Sequence, residues 1–179
     1  MKINLEQLNE MIEMQRQLDE YIMDKQGVEY DTHIAEKISL ALFVELGELF
    51  NELPSGFKYW KPNAVDNRDK ALVEYVDCLH FAMSLHYYKD DEIVTDNLKM
   101  FEHNNTNLYE NISNIMDSLF HIDPYCNIYT SLLEGILLLG NCLGFTWEEI
   151  YKTYIKKNKI NYDRQINVKE YMNNGQDIE

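Results

Sequence analysis

ISLALFVELGELFNEL, residues 38–53, and KALVEYVDCLHFAMSL, residues 70–85, are two apolar runs of helical length, each interrupted by acids three apart. The acids are Glu45 and Glu48 in the first run, Glu74 and Asp77 in the second. A spacing of three places both members of a pair on one helix face, one turn apart. Leu42, Val44, Leu46, Leu49 and Phe50 surround the first pair, and Leu72, Val73, Val76 and Leu79 the second. Taking a lone carboxylate out of water is costly unless something compensates it. Neither run carries a Lys or Arg between Leu40 and Leu53 or between Ala71 and His80. Two packed helices that turn four such acids inward predict a hard divalent cation, and oxygen-only ligation suits Mg²⁺ or Mn²⁺ rather than Zn²⁺. Glu52, four after Glu48, is a further candidate ligand. The alternative is that both pairs lie on solvated faces.

The composition narrows the partners. At 179 residues with 45% hydrophobic side chains, the chain is long enough for one domain with a real core. A net charge of −15 excludes a surface that binds nucleic acid nonspecifically, since no basic stripe exists to release counterions. A small anionic substrate stays open, because a metal and a few local bases can hold it. Cys78, Cys126 and Cys142 fit no metal-ligand spacing and sit among apolar neighbours, so reduced core thiols in a cytoplasmic protein are expected. MKINLEQLNEM lacks the apolar core of a signal peptide. The greasiest run, 131–143, is too short to span a bilayer and contains Glu134, so it reads as a buried helix without membrane association. Seven Gly, three Pro and no alternating β-branched run predict an all-α chain.

Flanking segments support the acidic helices. Residues 3–26 have the apolar spacing of an amphipathic helix, ended by Gly27. Gln15 on that helix reads as an exposed polar residue unless a ligand claims it. Asp31 and Thr32 cap the helix that carries Glu45 and Glu48. Gly47 inside it costs about 1 kcal/mol relative to Ala, which a close helix or ligand approach would explain. Pro54, Ser55 and Gly56 stop the helix. The loop FKYWKPN, 57–63, combines aromatics and bases, either as a stacking surface with phosphate-directed charge or as a hydrophobic plug. The second acidic helix begins after Asp66, and His80 and Phe81 follow Asp77 within a turn, positions that suit core side chains. Residues 88–130 turn polar and Asn-rich and read as a divergent, partly helical insertion with a helical pattern over 108–119. Gly144 ends the 131–143 helix, and Thr146 with Glu149 forms a capping box for the next. That last helix runs into the chain's one dense basic run, Lys152, Lys156, Lys157, Lys159 and Arg164. These cations suit either the helix C-terminal dipole or a triphosphate clamp. A polar tail follows, 169–179.

ELGE followed by EYVDCLHF resembles the paired acidic motifs of the all-α nucleoside triphosphate pyrophosphohydrolases, and within them the dimeric dUTPases. MQRQLD near the start, FKYWK between the acidic helices and KKNKINYDRQ near the end agree with the resemblance, which spans 8–165 and is weakest over 89–131. It implies a single MazG-like all-α domain over 1–168, a homodimer, and hydrolysis of dUTP to dUMP and pyrophosphate with Mg²⁺, Mn²⁺ being a substitute. Glu45 and Glu48 would be catalytic ligands, Glu45 also orienting the water, with Glu74 and Asp77 completing the metal site. By the same resemblance Gln15 reads the uracil edge, Trp60 and Lys61 line the site, and His80 and Phe81 form the nucleoside pocket. Lys157, Asn158, Asn161, Arg164 and Gln165 match a family signature without a gap, which implies that Lys157 and Arg164 bind the phosphates and that Asn161, with Gln15 and Trp60, serves discrimination of base and sugar. A broader pyrophosphohydrolase with the same acids remains an alternative. So does a regulatory binding module using 88–130, since phage-encoded relatives engage a repressor protein.

Overall fold

The fold follows from where helices can start and stop. In the computed structural model, which describes residues 1–87, 107–120 and 128–166, α1 (Leu5–Gln26) opens on Asn4, whose side chain accepts from the backbone N–H of Glu6 and Gln7. It closes on Gly27 at φ 65°, the left-handed conformation glycine adopts without a Cβ penalty. Asp31 caps α2 (Thr32–Asn51) through the Ile34 N–H at 2.8 Å. A short 3₁₀ turn, Pro54–Gly56, follows and is tied down by Asp66, which accepts from the Ser55 N–H at 2.8 Å. Asn67 accepts from the Lys70 N–H at 3.2 Å as α3 (Arg68–Tyr87) begins. Then come α4 (Leu108–Phe120), α5 (Ile128–Cys142) and α6 (Trp147–Ile166). The capping box at α6 forms as expected: Thr146 N–H donates to Glu149 at 2.8 Å and Glu149 N–H to the Thr146 hydroxyl at 3.3 Å. Glu149 also accepts both arms of Arg68, at 2.8 and 3.0 Å, so the starts of α3 and α6 are held together.

α3 is the centre. It packs against α1, α2, α5 and α6, and buries Tyr75, Val76, Cys78, Leu79, Ala82, Met83 and Leu85 against them. A helix buried on all but the one face that carries Glu74 and Asp77 must be surrounded by its neighbours, which is why this one sits in the middle. The Tyr75 hydroxyl donates to the Ile136 carbonyl at 3.1 Å, and α5 comes this close because Gly140 has no side chain: a Cβ there would overlap the tyrosine ring.

Several expectations need adjustment. α5 starts at Ile128, three residues before the apolar run. Among the described residues nothing lies close to where a Gly47 Cβ would be, so no helix approach there accounts for that glycine; it borders an apolar groove with Phe43, Val44 and Phe50. Cys78 is a buried free thiol whose pKa burial pushes well up, whereas Cys142 is only half-buried. The expected helix within the insertion is α4, while 88–106 and 121–127, Cys126 included, and the tail 169–179 lie outside the described residues. Among the described residues there is no strand, and no helix is long and apolar enough to cross a membrane.

Candidate active site

A cavity of about 740 Å³ opens between α1, α2, α3 and α6. The acids enter it from α2 and α3, held there by the buried apolar side chains that anchor each helix: Leu42, Leu46 and Leu49 beside the first pair, Tyr75, Val76 and Leu79 beside the second. Glu45, Glu48 and Glu74 each bring one carboxylate oxygen within 4.8 Å of the others. Among the described residues no cation pairs with any of the three. Partial burial, then the like charges of Asp77, Glu48 and Glu74, push the Glu45 carboxyl up to about 7. Burial raises Glu74 as well. Like charges held this close against their own repulsion are a donor set of hard oxygens that fits a divalent cation.

Two details differ from the sequence expectation. The acids line an open wall rather than pointing into a dry interior, with Glu48 exposed and Glu45 and Glu74 half-buried. The fourth, Asp77, is answered after all: Lys157 Nζ of α6 lies 2.6 Å from its Oδ2. Burial still raises the Asp77 carboxyl, with Lys157 opposing the shift. A base this distant in sequence is invisible to a search along α2 and α3.

Facing the acids, α6 presents Lys157, Asn161, Arg164 and Gln165 to the cavity, the spacing of one helix face. Lys156 and Lys159 are exposed, and Lys152 pairs with Glu148 on the outside, so the basic run divides between cavity and solvent. Asn158 is not brought to the cavity: it is buried, with its amide 3.4 Å from the Tyr154 hydroxyl.

At the far end lie Gln15, Leu18, Asp19, Ile22, His80 and Phe81. Gln15 is only 3% exposed, which rules out the reading of a solvated surface residue. Its carbonyl lies 2.5 Å from His80 Nδ1, and its nitrogen 2.9 Å from Asp19 and 3.1 Å from Ser84. Trp60 and Lys61 do not reach the cavity. Trp60 is 58% exposed and meets Phe57 and Tyr59 edge-on, with centroids 6.4 and 5.2 Å away, so the loop is not a hydrophobic plug either. Sequence reasoning missed Asp19 and Lys70 as cavity residues. Asp19 carried a signal: with Gln15 it places two polar groups on the α1 face that buries Leu8, Met11 and Leu18.

A family model described as dUTPase matches residues 7–169, a span that contains every residue of this cavity. No curated protein matches the chain.

Proposed function

We propose, on the premise that this chain belongs to the all-α dUTPase family and hydrolyses dUTP to dUMP and pyrophosphate, that the reaction takes place in the cavity between α1, α2, α3 and α6. The convergence of Glu45, Glu48 and Glu74 on one point, across from the Lys157 and Arg164 face of α6, carries this reading. Glu45, Glu48 and Glu74 would hold the divalent ion, with Asp77 joining them when Lys157 turns to substrate. A divalent ion held by these acids, Mg²⁺ in our reading with Mn²⁺ as substitute, would supply water activation and neutralisation of charge developing on the phosphates.

The chain's own groups do the rest. Glu45 orients the water through a carboxylate oxygen. Lys157 and Arg164 hold the pyrophosphate oxygens, where compact and forked cations complement each other. Asn161 and Gln165 extend that face, and Gln15, His80 and Phe81 form the end that takes the nucleoside. Trp60 and Lys61 join the site only if their loop folds over it, and Asn158 supports α6 from behind. The buried thiol of Cys78 suits a reducing cytoplasm. A homodimer in this reading uses the exposed α2 residues Leu40, Phe43 and Val44. A repressor-type protein partner would engage 88–130, most of which lies outside the described residues.

The test is pyrophosphate release from a panel of deoxy- and ribonucleoside triphosphates, with Mg²⁺ and with EDTA, for the wild type and Glu48→Gln. Turnover of dUTP alone, abolished by chelation and by the substitution, is the expected result. Undiminished turnover by Glu48→Gln would remove the acids from the mechanism, and equal turnover of several bases would favour the broader pyrophosphohydrolase.

A further inference from the structure

Gln15 sits in a polar cluster enclosed by α1, α3 and α6, and its amide is held at both ends. Nε2 donates one hydrogen to Asp19 Oδ1 at 2.9 Å and the other to Ser84 Oγ at 3.1 Å. The second Asp19 oxygen accepts from Ser84 Oγ at 2.5 Å and from the Tyr87 hydroxyl at 3.1 Å. With three donors aimed at it, Asp19 is held as an acceptor, and among the described residues no cation pairs with it. The two ends of an amide are told apart only by their partners. A carboxylate beside one end obliges the nitrogen to face it, so the carbonyl must face α3.

There Gln15 Oε1 meets His80 Nδ1 at 2.5 Å. A carbonyl only accepts, so Nδ1 carries the proton. Burial keeps the ring neutral by pushing its pKa down to about 3. A neutral imidazole has one proton, which leaves Nε2 as a bare acceptor. Among the described residues that atom, itself buried, has no hydrogen-bond partner, and it belongs to a ring that lines the cavity. Tyr154 stacks on the ring at 4.4 Å between centroids and fixes its plane. Gln15 therefore has no free amide hydrogen for a base, and the unanswered group at this end of the cavity is His80 Nε2.

We infer that Asp19 is a positioning residue for base selection: through Gln15 it locks His80 as the Nδ1–H tautomer, whose bare Nε2 selects a base edge with an N–H donor, N3–H of uracil, over the N3 lone pair of cytosine. The inference rests on the dUTP reading for the identity of the base, and not for the tautomer. It assigns no discrimination against thymine, which has the same N3–H.

Two measurements test it. Long-range ¹H–¹⁵N correlation spectra of the metal-free wild type should show His80 protonated at Nδ1 with a lone pair at Nε2, and dUMP, unlike dCMP, should shift the Nε2 resonance. An Nε2–H tautomer, a tautomer average, or equal responses to the two nucleotides would overturn the proposal. Asp19→Asn, which can turn either end toward Gln15, should lower the kcat/KM ratio of dUTP over dCTP by about tenfold or more, the loss falling on KM for dUTP. An unchanged ratio, or equal losses for both substrates, would make Asp19 merely structural. Should Asp19→Asn fail to fold, the wild-type spectra decide alone. Should the wild type hydrolyse neither nucleotide, the functional reading fails, while the spectra and mononucleotide titrations still decide the tautomer and its preference.

Discussion

Lys157 is the residue whose role depends most on its surroundings. It neutralises Asp77 at 2.6 Å and stands on the same helix face as Arg164, so in the proposed reaction one ammonium group would serve both the acid cluster and the anionic substrate. Lys157→Gln should remove a charge-assisted contact worth about 2 kcal/mol, roughly thirtyfold in kcat/KM for dUTP, read from steady-state kinetics. A change below threefold would take Lys157 out of the phosphate site. The carboxyls give a second prediction. Asp19, pushed up to about 6 by burial, and Glu45, at about 7, bind protons more tightly folded than unfolded. For these groups stability is greatest below the ordinary carboxyl range and is lost as pH rises through 6 to 7. The thermal midpoint in EDTA should therefore fall between pH 5.5 and 8, less steeply in Glu45→Gln, and Mg²⁺ should restore it at pH 8. An identical slope in Glu45→Gln would show that Glu45 is not strained in the metal-free protein.

α3 owes its central position to being apolar on every side but one, and that side, with Glu74 and Asp77, lines the cavity. The contact of Tyr75 with α5 depends on Gly140. Gly140→Ala should force the buried ring or α5 to move, at a cost of about 1–3 kcal/mol, seen as a lower urea midpoint with unchanged slope. An unshifted midpoint would mean that α5 relaxes freely. Most helix identities and ends were legible in the chain itself: Gly27, Asp31, Gly144 and the Thr146–Glu149 box act locally, through hydrogen bonds within a turn. Gly140 was not legible as a contact, because the need for it arises on α3.

The molecule as a whole leaves apolar surface on α2, where Leu40 and Val44 are 63% and 50% exposed and the groove toward Ile112, Ile115 and Met116 begins. If a second copy covers this face, Val44→Lys should convert a dimer into a monomer in sedimentation velocity, because a buried ammonium in the seam would lack a partner. A dimer that persists unchanged would place the interface elsewhere.

The sequence by itself determined that this chain is all helix, that its acids stand in two pairs on two apolar helices, and that its basic run lies near the end. Each follows from periodicity and capping, which act over a few residues. Only the tertiary structure decided that three acids rather than four converge, that Lys157 answers the other, and that Lys157, Asn161 and Arg164 face the cavity while Asn158 does not. It also enclosed Gln15 with Asp19 and His80, and left Trp60 outside. These outcomes depend on the angle and depth at which α6 and α1 settle on α3. That docking is set by the shapes of many side chains together and by no spacing along one helix.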